Sequence, residues 1–451
     1  MESHDWGEGK ARVEEWQLLV HVCRRWRNVV FRSPRRLNLR LYCTPETPAK
    51  DTLDIWPAFP LIVWGDIKSS GADNIIAALE QRNRVSHVYL FNLANWQSET
   101  VLATMQAPFL ELEDLRLFSA DADETPLVIP DSLLGGSAPH LQNFLLSGIS
   151  FPGLTKLLLT ASRLVYLWLY DIPHSGYISP EAIVDLFSVL SSLEDLSISF
   201  QSPRSHPGGR PQSSQPPKRT ILPALRYFEF KGVTEYLEEL VIRIGTPQLN
   251  EMKITFFNQI DFNTPRLAQF INCTPTLRAL DEAHVHVCAP GIARMGFRYR
   301  ASEYSFGNLS INISCSDPDW QLSSIEQVCN SLHPLSKVED LYIEGRARYP
   351  LLVWKDDPIK NTLWLQLLLR FTAVKNLYLS VVFAPRIAAT LKELVTSGVI
   401  ELLPSLQNIF VAGLDQSGPS WENIEQFVAA RQLSDNPIAI SVCDQWQAWD
   451  T

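Results

Sequence analysis

The sequence predicts an α/β solenoid, a parallel inner sheet backed by outer helices, on three observations. A short aliphatic phrase recurs along most of the chain, its copies keep a spacing of roughly 23 to 36 residues, and amphipathic segments fill the intervals. The phrase reads L-x-x-L-x-L, with any large aliphatic or aromatic residue at the three fixed places. Complete copies begin at Val85, Leu112, Leu141, Leu164, Leu193, Leu225, Leu249, Phe306, Val338, Val374 and Leu406. A copy at Leu277 and Leu280 is degenerate, because Glu282 stands where the third aliphatic belongs. One such phrase occurs by chance in any leucine-rich chain, whereas a tandem run of this length does not.

The intervals read as helices. EAIVDLFSVLSSL, RLAQFINCTPTL, SIEQVCNSLHPL, NTLWLQLLLRFTAV and ENIEQFVAARQL place apolar residues at i, i+3, i+4 and i+7. Helix then short strand, repeated, is the grammar of a leucine-rich-repeat solenoid, a horseshoe with a parallel sheet on its inner face. The expected organisation is a helical segment over 1–42, a connecting segment over 43–84 and the array over 85–451, closed by a cap at 415–451. Residues 202–219, SPRSHPGGRPQSSQPPKR, are rich in Pro, Gly, Ser and basic residues and predict a mobile loop between two repeats.

The phrase also assigns a surface. Its aliphatic residues point into the core, so the residues between them point outward onto the concave face. The place between the second and third aliphatics is held by Tyr89, Arg116, Leu145, Trp168, Ser197, Glu229, Lys253, Ser310, Tyr342, Tyr378 and Phe410. Phe91, Phe118, Tyr166, Tyr170 and Tyr227 occupy neighbouring outward places. Tyr, Trp and Arg dominate the energetics of many protein interfaces, which makes Tyr89, Arg116, Tyr166, Trp168, Tyr170, Tyr342, Tyr378 and Phe410 candidate partner contacts. The bland alternative is that these rings pack on their lateral neighbours across the sheet.

Composition narrows the function. A formal charge of −10, from 39 basic and 49 acidic residues, argues against binding nucleic acid by neutralising phosphates. Seven scattered cysteines without a CxxC pair suggest reduced thiols and a cytoplasmic or nuclear setting. The most apolar stretches are too short to span a bilayer, and no apolar leader segment follows Met1. No phosphate loop, dinucleotide fingerprint, nucleophile elbow or HExxH helix is present, so neither an enzyme nor a cofactor is expected. The strongest metal candidate is the run His284, His286, Cys288, three ligand types on one side of a strand. Alternate strand residues lie about 6 to 7 Å apart, too spread for one ion without a bend, and no metal site is expected.

The N-terminal stretch Val13–Phe31, VEEWQLLVHVCRRWRNVVF, predicts one amphipathic helix carrying Trp16, Leu19, Val20, Cys23, Trp26 and Val30 on one side. By its residues alone it is a cap for the open end of a solenoid. LLVHVCRRWRNVVFRSPRRLNL also resembles the C-terminal half of an F-box, which ends in V-C-R-x-W-R, an aliphatic pair, a short turn and a leucine. Val22, Cys23, Arg24, Trp26 and Arg27 match that ending, with Val29 and Val30 in the aliphatic places. The next stretch, RLYCTPETPAKDTLDIWPAFPLIVWG, is similar to fungal F-box-like proteins with divergent leucine-rich repeats. The Leu-Pro phrase that opens an F-box has no counterpart before Trp16, where the residues are polar and include Gly7 and Gly9. The resemblance implies a receptor: its helical part docks on the Skp-type adaptor of a cullin-RING ubiquitin ligase, and its repeats hold a protein substrate. Under it the adaptor contacts are Trp16, Leu19, Val22, Cys23, Arg24, Trp26, Arg27 and Val30.

Overall fold

A computed structural model describes residues 15–32, 40–46, 48–55, 58–67, 71–93, 96–120, 126–203, 219–278, 280–289, 291–299, 308–315, 317–345, 358–397, 402–412, 418–433 and 437–443. The chain forms two compact units, Met1–Gln212 with Thr220–Ala224, and Ser213–Arg219 with Leu225–Thr451. Each is a leucine-rich-repeat array in which strands of a mostly parallel sheet alternate with helices.

The first unit carries β1 (Leu41–Cys43), β2 (Leu61–Asp66), β3 (Val85–Leu93), β4 (Asp114–Ser119), β5 (Asn143–Ser147), β6 (Tyr166–Ile172) and β7 (Asp195–Phe200). They pair in chain order and all in parallel. The repeat phrase fixes the register. Leu115, Phe144, Leu167 and Leu196 stand side by side, as do Leu117, Leu146, Leu169 and Ile198, and all eight are buried. Burying one such side chain contributes about 1.5 to 3 kcal/mol, so a one-residue slip, which turns every aliphatic to the other face, is strongly disfavoured. Helices Ala72–Leu79, Trp96–Thr104, Leu154–Leu158 and Pro180–Phe187 connect the strands. The last has Pro180 at its start and a Ser179 hydroxyl accepting from the Ala182 amide at 3.2 Å, a cap that fixes where the helix begins.

The array starts earlier than the phrase indicates. Residues 43–84, expected to be a connecting segment, contain β2, and β1 begins at Leu41. The copy in β2 is disguised because Gly65, paired with Leu90, holds the third aliphatic place. Two short helices precede the array, α1 (Glu15–Val22) and α2 (Arg24–Arg32), in place of the single helix expected there. The break falls at Cys23, after which the Arg27 Nε donates to the Val20 carbonyl at 3.1 Å and stitches the two together.

The second unit carries β8 (Tyr227–Gly232), β9 (Glu251–Phe256), β10 (Glu282–Ala289), β11 (Ile292–Arg298), β12 (Leu309–Ser314), β13 (Asp340–Glu344), β14 (Asn376–Leu379), β15 (Asn408–Ala412) and β16 (Ala439–Cys443). The spatial order is β8-β9-β12-β11-β10-β13-β14-β15-β16. Here the all-parallel expectation fails: β11 runs antiparallel to both β10 and β12. The turn between β10 and β11 contains Gly291 at φ +83°, a left-handed conformation that glycine adopts without strain.

The degenerate copy is resolved by register. Ala283 pairs with Leu341 and Val285 with Ile343, so the phrase is Leu280, Ala283, Val285, three residues beyond the frame read from the sequence. An alanine in the second place hid it. The helical segments read from the sequence are present as Pro265–Cys273, Pro318–Ser331, Pro358–Leu368 and Pro419–Gln432, joined by Thr234–Val241 and Ala384–Ser397. In 415–451, the expected cap, the last of these helices is followed by β16, which adds one more parallel strand beside β15. Residues 204–218 of the expected loop lie outside the described residues. Among the described residues no helix is long and apolar enough to cross a membrane.

Candidate protein-binding faces

In the first unit the outward places form one row across the sheet. Trp64, Tyr89, Arg116, Leu145, Trp168 and Ser197 are consecutive register partners. Strands two apart lie about 9.5 Å from each other, yet the Arg116 guanidinium is 5.5 Å from the Trp168 ring and 5.0 Å from the Tyr89 ring. The arginine therefore reaches across β5, and Leu145 between them is buried. The contacts with both rings are cation–π interactions, worth about 0.5 to 1 kcal/mol each at partly exposed sites.

Asp114 holds this group in place. Its carboxylate accepts from Arg116 Nε at 2.9 Å and Nη2 at 2.8 Å, from the Tyr89 hydroxyl at 3.2 Å and from Asn143 Nδ2 at 2.9 Å. Burial and the Asp114 charge push the Tyr89 phenol well above its ordinary range, so it stays a donor. Trp168 donates its indole N–H to Asp195 Oδ1 at 2.8 Å, and Tyr166 lies beside it with ring centroids 5.4 Å apart. Tyr166 is 37% exposed, and Tyr170 is half-buried with its hydroxyl 3.4 Å from Ser197 Oγ. Phe91 and Phe118 stack at 4.8 Å. The rings do pack on lateral neighbours, and one edge of the row remains open to solvent.

Next to this row His87 receives Arg40 Nη1 on its Nε2 at 2.9 Å and lies 3.0 Å from Ser86 Oγ through Nδ1. Ser86 in turn donates to the Leu61 carbonyl at 3.1 Å. Burial first, and then the Arg40 charge, hold the imidazole down at about 4, so it is neutral near pH 7.

In the second unit the row is Glu229, Lys253 and Ser310, then Gly296 of the antiparallel strand, then His284, Tyr342, Tyr378, Phe410 and Ser441. Lys253 Nζ bonds Glu229 Oε1 at 3.0 Å. His284, Tyr342, Tyr378 and Phe410 form a stack with successive centroid separations of 4.3, 4.1 and 4.7 Å. Along its flank Asn408 donates to Asn376, and Asn376 to Asp340, at 2.8 and 2.5 Å. All three partner candidates of this unit, Tyr342, Tyr378 and Phe410, are thus in one continuous ladder, half-buried.

Beneath the first ring of that ladder is a polar cluster that no single strand reveals. His284 Nε2 is 2.5 Å from Glu282 Oε1, and its Nδ1 is 3.2 Å from Glu344 Oε1 on β13. His286 Nε2 is 3.3 Å from Glu344 Oε2. Glu282 also accepts from Arg298 Nε at 2.6 Å. Burial alone would raise the Glu282 carboxyl, but the His284 and Arg298 hydrogen bonds outweigh it and hold the group below its ordinary value. Sequence reading found His284 and His286 on one face but missed Glu344, because the pairing of β10 with β13 brings together residues far apart in sequence. The Cys288 side chain lies outside the described residues.

The N-terminal candidates divide. Leu19, Val22 and Trp26 are exposed, together with Leu18 and Val29, all apolar side chains of α1 and α2. Cys23, Arg24 and Arg27 are exposed as well. Val30 is not available for docking: it is 1% exposed and belongs to the core. The Trp16 side chain lies outside the described residues.

No protein-family model matches the chain, and no curated protein matches it. Among solved structures it is similar to the leucine-rich repeat-containing protein LegL7 from Legionella pneumophila, at 12% sequence identity and a TM-score of 0.28, over 86% of this chain and 97% of that one.

Proposed function

We propose that this protein is a binding receptor for another protein, without catalytic activity of its own. The observation that carries this reading is the Tyr89–Arg116–Trp168 group with Tyr166 at its edge. It is a pre-formed cluster of the residue types that anchor protein interfaces, partly open to solvent and held by Asp114 and Asp195. Holding such side chains in place before binding lowers the entropy lost on association.

The more specific form of the proposal is a substrate-recognition subunit of a Skp/cullin/F-box ubiquitin ligase, acting in the cytoplasm or nucleus. It is supported by the resemblance of VCRRWR and the following residues to fungal F-box-like proteins, and by the exposure of the apolar side chains Leu18, Leu19, Val22, Trp26 and Val29. In this reading α1 and α2 dock on the adaptor and the outward face of the sheet holds the substrate. A second reading, a repeat scaffold with no ligase attached, rests on Val30, which is 1% exposed and ties α2 into the core as a cap of the array would be.

A pull-down of the chain against a purified Skp-type adaptor separates them. Capture that is lost in Trp26→Ala while the variant stays folded supports the ligase reading. No capture leaves the scaffold reading, and capture that ignores Trp26 keeps the adaptor but moves its contact away from Trp26.

A further inference from the structure

We propose that His284 Nδ1, His286 Nε2 and the Glu344 carboxylate form a site for a divalent cation of the zinc class on the outward face of the second unit.

The geometry fits a tetrahedral ion. Bonds of about 2.0 to 2.1 Å place neighbouring ligands about 3.3 Å apart; His284 Nδ1 is 3.2 Å from Glu344 Oε1 and His286 Nε2 3.3 Å from Oε2, so a small turn of the carboxylate presents one oxygen to both histidines. The three ligand atoms all lie within 4.8 Å of one another. The histidine rings are 6.4 Å apart and within 13° of parallel, so small rotations bring the remaining edge in. This is how the cluster escapes the spacing problem of a lone strand: the third ligand comes from β13, between the two histidines.

The surroundings point to a cation as well. Glu282 can only accept, so His284 donates its Nε2–H to it and turns Nδ1 toward Glu344 Oε1. A carboxylate–histidine pair of this kind is the usual outer support of a metal-binding imidazole, fixing its tautomer and raising its basicity. Arg298 in turn neutralises Glu282. Arg294, the register partner of His286, donates to Asn312 Oδ1 at 2.9 Å.

Glu344 carries the second, independent observation. It is 5% exposed, and its Oε2 lacks an aligned hydrogen bond although His286 Nε2 is 3.3 Å away. A buried carboxylate oxygen left in this way is costly, and a metal ion satisfies it. Two nitrogens and a carboxylate suit zinc, whereas calcium and magnesium take oxygen ligands. Three protein ligands leave one position for water or for a side chain of a bound partner. The competing state is an imidazolium at His284 clamped between Glu282 and Glu344.

The test uses the full chain, stripped with a chelator and titrated with zinc against a chromophoric competitor. One equivalent per chain is expected, weakened at least tenfold in His286→Gln and Glu344→Gln. Loss of the outer support in Glu282→Gln should weaken binding by about 10- to 100-fold. Circular dichroism of each metal-free variant checks folding; His286 is the least buried ligand, so its variant is the primary one. Cobalt substitution gives a second readout, visible d–d bands with no thiolate charge-transfer band. No zinc uptake, uptake unchanged in both ligand variants, or a thiolate band overturns the site, and the first of these leaves the clamped imidazolium.

Discussion

His284 of β10 lies flat on Tyr342 of β13, with ring centroids 4.3 Å apart and planes within 1° of parallel. The contact sets the first step of a stack that runs through Tyr378 to Phe410, one ring per repeat, each at the same place of the phrase. Tyr378 is in the middle and touches two rings, at 4.1 and 4.7 Å. Tyr378→Ala should therefore lower the stability of the second unit by about 2 kcal/mol, from two aromatic pairs at about 0.5 to 1.5 kcal/mol each. Tyr378→Phe, which keeps both stacks, should cost far less. Urea unfolding followed by hydrogen exchange in β13, β14 and β15 measures the difference; equal losses in the two variants would show that the hydroxyl, not the stack, matters.

Asp114 organises the face of the first unit, and its value depends on Arg116 remaining charged beside it. The Asp114 side chain is 3% exposed and that of Arg116 21%. Removing the acid alone strands a cation and frees Tyr89 and Asn143, so Asp114→Leu should cost about 3 kcal/mol, at the low end for a buried pair because Arg116 is partly solvated. Asp114→Leu with Arg116→Met should be less damaging than Asp114→Leu alone, since no unpaired charge remains. Chemical denaturation of the single and double variants checks the order, and a double variant worse than the single would contradict this account.

His87 predicts a pH dependence with a definite sign. Its folded value of about 4 lies below the 6.5 of an unperturbed imidazole, so the unfolded chain binds the proton more tightly. The stability it contributes is fully present above about pH 6.5 and is lost as the pH falls toward 4, amounting to on the order of 2 to 3 kcal/mol over that window. Arg40 and Arg116 oppose the charged ring, while Asp114 and a backbone hydrogen bond at Ser86 favour it. In His87→Gln the part of the acid destabilisation between pH 6.5 and 4 should shrink, seen as a flatter plot of urea midpoint against pH. An unchanged slope would assign the acid sensitivity to other groups.

How much of this was legible depended on whether a feature lay along the chain or across it. The strands, their burial and the outward row came from one phrase, because side chains alternate in a strand and repeats of one length pair in register. The phrase failed where its fixed places held the smallest residues: Gly65 concealed β2, and Ala283 shifted the frame of β10. The antiparallel β11 was invisible for a different reason, since parallel and antiparallel strands share one periodicity. Glu344 could not be joined to His284 and His286 without knowing that β10 pairs with β13, and Asp114 reads from sequence as an ordinary polar residue ahead of a strand.

Gly65 offers a sharp test of the register itself. Its partner Leu90 and the phrase as a whole call for a large aliphatic at this place, so a consensus argument favours Gly65→Leu as a stabilising change. The packing argues the reverse. A Cβ at Gly65 already meets Ile75 Cδ1 at 3.0 Å and Cγ1 at 3.1 Å, with Leu90 Cδ2 at 3.6 Å, and Ile75 is fully buried. The helix Ala72–Leu79 has filled the space that a leucine would need, and overpacking a closed core costs about 1 to 3 kcal/mol. Gly65→Leu should accordingly lower Tm by several degrees, with Gly65→Ala falling between it and the parent because only Ile75 must give way. A leucine variant with a raised Tm would mean that Ile75 can vacate the site and that the consensus, not the present packing, describes the preferred core.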